Sequence, residues 1–198
     1  MKVKVFFASK EMLIDYLHRY GTDRTIDHEV NIALYAKEWW EKKMNQEFVI
    51  VFEQNNKMHN YPDRFTTTVE ELKDILDTYL EVDTPVDFAL APIEKMEDYD
   101  RYAYPFQVKQ LRIPITDDTS QKLADFVSEK ANRYKDTRIC FIIDPQLVGD
   151  NSGKMFRMGD LQDKLTIRDD AMRSVYMFQR SGDDFTFLTI WKSPLVTE

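Results

Sequence analysis

Residues 85–112, PVDFALAPIEKMEDYDRYAYPFQVKQLR, decide how this chain is read. Two apolar runs, 85–90 and 104–111, flank a charged connection. Side chains along a strand alternate between its faces, so residues two apart share one. In the first run Val86, Phe88 and Leu90 form one face, and Asp87 and Ala89 the other. In the second, Phe106 and Val108 face one way and Gln107 and Lys109 the other. If the runs pair as strands, an acid, an amide and an ammonium converge on one side of a sheet whose other side is core. That convergence is a candidate metal-and-phosphate site.

Working upstream, 47–53 (EFVIVFE) is an apolar strand. Before it, Thr25 or Asp27 caps a helix that runs to about Lys43. Its apolar positions include Ile32, Ala33, Ala36, Trp39 and Trp40. Glu29 precedes Ile32, Ala33 and Ala36 by three, four and seven residues, so it shares their face. A strand at 2–7 and an amphipathic helix at 10–20, stopped by Gly21, complete the start of the chain. Residues 54–65 are polar, carry Asn55-Asn56 and Tyr61-Pro62-Asp63, and read as a loop. Thr68 and Glu71 stand at capping-box spacing before a helix at 69–80, which Asp83-Thr84-Pro85 stops.

Downstream, Asp117-Asp118-Thr119-Ser120 caps a helix at 121–134, and 137–143 is a buried strand that ends at Asp144-Pro145. The β–α–β unit over 104–143 predicts parallel pairing through a right-handed crossover. Residues 147–158 (LVGDNSGKMFRM) read as a surface turn, because the glycine spacing of a phosphate-binding loop is missing. After a mixed segment at 159–170, two strands at 174–180 and 184–191 form a hairpin across Arg180-Ser181-Gly182-Asp183-Asp184. That hairpin is expected to extend or cover the sheet edge.

A Pro-x-Asp on one strand (Pro85, Asp87) followed by Gln-x-Lys on the next (Gln107, Lys109) resembles the PD-(D/E)XK nuclease superfamily, in its variant with Gln replacing the middle acid. Apart from the additional helix at 69–80, the order of elements over 25–145 is similar to that superfamily's helix–three strands–helix–strand core. The resemblance implies an α/β fold with a mixed central sheet and flanking helices. It implies a restriction-endonuclease-like core at 25–145 and a C-terminal hairpin extension at 146–198, within one domain of 198 residues.

It also implies Mg2+- or Mn2+-dependent hydrolysis of nucleic-acid phosphodiesters, with DNA the expected substrate. Magnesium prefers oxygen ligands and keeps several of its waters. Asp87 would be its first ligand, Gln107 would offer an amide oxygen, and Glu29 would complete the set. The neutral amide is a weaker donor than a carboxylate. Lys109 would orient or deprotonate the attacking water, or neutralise charge developing on the phosphate. An ammonium is a poor base near neutrality, which favours the electrostatic role. Arg112, Lys122 and Arg133 would contact phosphates.

Simpler readings stand beside these. Glu29 can simply complement the positive end of its helix. Asp87 and Lys109 can be an ion pair on an exposed sheet face, worth little. Glu94 and Asp98 lie in the acidic connection 94–101, which reads as a hairpin tip reaching solvent. The same scaffold can also serve as a catalytically inactive interaction module, or the motif can be an accident of an unrelated α/β domain.

Composition bounds these alternatives. Hydrophobic content of 43% beside 31% charged residues excludes a disordered chain. The single Cys140 excludes an intramolecular disulfide and a Cys-rich zinc site, and its apolar neighbours read it as a small core residue. The histidines His18, His28 and His59 lack metal-binding spacing. No apolar run approaches transmembrane length, so no membrane partner and a cytoplasmic location are expected. A protein partner or a homodimer remains compatible. The net charge of −8 opposes an extended basic groove, although metal sites themselves need carboxylates.

Overall fold

Helix α1 spans Arg24–Met44, close to the expected bounds. Among its described side chains Ile32, Ala33, Ala36 and Trp40 are buried, and their steps of one, three and four trace one helical stripe. Lys42 and Lys43 occupy the last turn, where positive charge complements the unpaired carbonyls. Asn45 follows with φ of 48°, in the left-handed region that Asn tolerates better than most residues, and the helix stops there. Glu41 pairs with Lys37 and also accepts the Phe48 N–H at 3.0 Å. A helix side chain thereby holds the entry into the next strand.

The computed structural model describes residues 4–7, 24–53, 87–148, 158–182 and 184–196. The helices expected at 10–20 and 69–80, the loop at 54–65 and most of the turn at 147–158 lie outside the described residues. The chain is a mixed α/β protein and divides into two compact units, Met1–Phe106 and Gln107–Glu198.

In the first unit β1 (Lys4–Phe7), β2 (Phe48–Glu53), β3 (Phe88–Pro92) and the start of β4 (Tyr104–Pro114) pair in that order, each antiparallel to the one before. The expected pairing of the two runs in 85–112 is therefore seen, with Phe88 opposite Phe106 and Leu90 opposite Tyr104. Their connection is not a simple hairpin tip. It forms a 3-10 turn at Ile93–Asp98 and then a one-turn helix α2 at Tyr99–Tyr102. The segment contains no Gly, Pro or Asn to make a tight turn, and Glu, Lys, Met and Arg suit helical turns.

The core of this unit is aromatic. Phe106 stacks on Phe88, with ring centres 4.9 Å apart and planes 12° from parallel. Trp40 meets Phe106 edge-on at 4.9 Å. Both phenylalanines are completely buried.

The second unit holds the rest of β4, helix α3 (Thr119–Ala131), β5 (Cys140–Val148), the short helix α4 (Met158–Gln162), β6 (Ser174–Ser181) and β7 (Asp184–Lys192). The Ile115 N–H donates to the Val148 carbonyl at 2.9 Å, so β4 and β5 end side by side, as the expected crossover through α3 requires. β5 pairs parallel with β6, and β6 antiparallel with β7. Gly182, at φ of 63°, makes the turn between the last two strands, where Ser181 faces Asp184.

Among the boundaries that differ from expectation, those at Pro145 and Asp118 have a physical reason. β5 runs through Pro145 rather than stopping before it. Its register with β6 ends at Ile143, so Pro145 removes no hydrogen bond from that ladder. Asp118 takes the cap position of α3 but makes no side-chain capping bond. The Thr119 hydroxyl instead accepts the Thr116 N–H at 2.6 Å and can donate to the carbonyl of Thr116 or Pro114. Cys140 is fully buried beside Ser174, as a small core residue should be.

A polar clamp closes the end of α3. The Asn132 side chain donates to the Thr166 carbonyl at 2.7 Å and accepts the Arg168 N–H at 2.8 Å. Nearby, the Arg138 backbone N–H and guanidinium converge on Asp136. Burial alone would raise the Asp136 pKa, but the Arg138 hydrogen bonds and charge together hold it below the usual aspartate range.

Two measurements check this packing. Phe106→Ala should cost about 3–5 kcal/mol in urea unfolding followed by tryptophan fluorescence, because it empties the centre of the aromatic stack. Asp136 stabilises the fold above its unfolded value of about 3.9 and loses that contribution as pH falls through the lower folded value. Thermal unfolding of Asp136→Asn should therefore show a flatter acid limb below about pH 4, with the pH dependence above it unchanged.

Candidate functional site

Asp87 immediately precedes β3 and is half-buried, followed by five buried strand residues. Its N–H donates to the Phe106 carbonyl at 2.9 Å, one residue beyond the Phe88–Phe106 pair. The aromatic stack beneath holds both strands, so the backbone at Asp87 is set by the ladder and by the core together. Glu29 belongs to α1, and Ile32, Ala33 and Ala36, whose face its spacing shares, are buried. Its own side chain lies outside the described residues.

In the second unit Gln107 and Lys109 are two apart on β4 and so share a face. Their surroundings differ. Gln107 is 6% exposed, between Phe106 at 0% and Val108 at 3%. Lys109 is half-buried, and beyond it Gln110 and Arg112 are exposed. The strand thus begins covered on both faces and opens toward its C-terminal half. The alternation in the sequence predicts an open polar face at Gln107, and the structure covers it.

Lys122 is exposed on α3. Neither it nor Arg112 enters an ion pair among the described residues. Arg133 is exposed as well, but its guanidinium pairs with Glu129 one helical turn earlier. Lys130 and then Arg133 hold the Glu129 carboxyl below the usual glutamate range. Of the three cations, Arg112 and Lys122 are therefore the more available.

Each unit supplies part of the expected set: Glu29 and Asp87 in the first, and Gln107, Lys109, Arg112, Lys122 and Arg133 in the second. Among the described residues, no group of three or more His, Cys, Asp or Glu side chains stands close enough to hold a metal ion.

The sequence did not point to a hollow in the first unit of about 550 Å³, where Glu47 and Glu94 border the end of α1. In the sequence Glu94 is simply part of a solvated acidic connection. The Ile93 N–H donates to the Glu47 carbonyl at 3.1 Å, which brings the two acids to one edge. The one local signal was the Asn45-Gln46 pair after the helix, where the left-handed residue turns the chain.

Comparison of the chain with protein-family models, with characterised proteins and with solved structures gave no match. No helix among the described residues is long and apolar enough to cross a membrane.

Gln107 offers a direct test of this environment. Gln107→Glu should lower stability at pH 7 by about 2 kcal/mol or more, because it puts a carboxylate where little solvent reaches. The loss should shrink toward pH 4, where a protonated glutamate again resembles the amide in shape and charge. Urea denaturation at the two pH values reads the difference.

Proposed function

We propose that this chain is a metal-dependent nuclease-like protein that hydrolyses nucleic-acid phosphodiester bonds on a restriction-endonuclease-like core. The observation that supports it most is the antiparallel pairing of β3 with β4. That pairing fastens the Asp87 backbone to Phe106, the residue before Gln107, while Gln107 and Lys109 share a face of β4. The order of described elements from α1 to β5 also agrees with such a core.

In this reading Asp87 holds magnesium or manganese through its carboxylate, with the Gln107 amide oxygen as a weaker neutral donor and Glu29 as a further carboxylate. The bound ion supplies charge neutralisation at the phosphate and a polarised water. Lys109 contributes a fixed positive charge where negative charge develops on the phosphate oxygens, an arrangement most effective when water is partly excluded. Arg112 and Lys122 hold the backbone of the substrate, with Arg133 a third contact that must share its charge with Glu129. DNA is the favoured nucleic acid.

The net charge argues against this less than it first does. The whole of the −8 lies in the first unit, and acids and bases are equal in number in the second. The three proposed phosphate contacts are all in the neutral unit.

A second reading is a catalytically inactive interaction module on the same scaffold. The burial of Gln107 favours it.

Plasmid and oligonucleotide cleavage in Mg2+ or Mn2+ separates the two. The nuclease reading predicts metal-dependent nicking that falls about 100-fold or more in Asp87→Ala and in Lys109→Ala, with far-ultraviolet circular dichroism unchanged. Folded wild-type protein that leaves both DNA and RNA intact in either metal would favour the inactive module.

A further inference from the structure

We draw no further inference here: the strongest candidate, the hollow in the first unit between the C-terminal end of α1 and the 3-10 turn after β3, with Glu47 and Glu94 on its wall, is an acidic surface patch, and nothing in the structure shows what covers it.

Discussion

Phe106 is the residue on which the first unit turns. Its ring lies against Phe88 on one side and meets Trp40 edge-on, so a helix and two strands share one contact. Its carbonyl accepts the Asp87 N–H. A side chain that anchors the core and a backbone group that positions an acid therefore belong to the same amino acid. Aromatic pairs of this geometry add specificity to the area they bury, because offset and edge-on arrangements are preferred over others. The backbone of Asp87 is thus tied to a strand that the aromatic packing holds.

The second unit solves a different problem. β5 is buried along Cys140–Asp144 and pairs parallel with β6, so its covering must come from helices and connections. α3 turns Leu123, Ala124 and Val127 inward, and the segment after α4 is tied back to its end through Asn132 and Ser128. Those hydrogen bonds satisfy backbone groups that would otherwise end unpaired near the core. The charges follow the same division: the first unit carries the acidic excess, while the second places Arg112 and Lys122 in balanced surroundings.

Much of this was legible in the residues. The stripe Ile32, Ala33, Ala36 and Trp40 specified α1, and Gly182 between two apolar runs specified the last hairpin. What sequence could not supply was cover and competition. Alternation at 106–109 assigns Gln107 to a polar face, but only tertiary packing decides whether that face is open, and here it is closed. Pro145 reads as a strand end, yet pairing with β6 has already ceased by that point. Four consecutive residues could have capped α3, and the hydroxyl of Thr119 does the bonding while the Asp118 side chain caps nothing. The charged connection after β3 has no periodicity to betray its helical turns. Of the candidate site, the strand positions of Asp87, Gln107 and Lys109 were legible, whereas their exposure was not.

The nuclease reading depends on a cation held by the half-buried Asp87 carboxylate, with Glu29 as a further carboxylate and the Gln107 amide, which has little access to solvent, as a weak neutral donor. Such a site binds weakly, so occupancy is better seen by proximity than by affinity. Titration of Mn2+ into isotopically labelled protein reads proximity directly, because the paramagnetic ion broadens the signals nearest to it. The account predicts that the Gln107 side-chain amide and the Asp87 backbone amide broaden first and that Asp87→Ala abolishes the effect. Sharp signals at both residues, with broadening confined to the hollow beside Glu47 and Glu94, would contradict it.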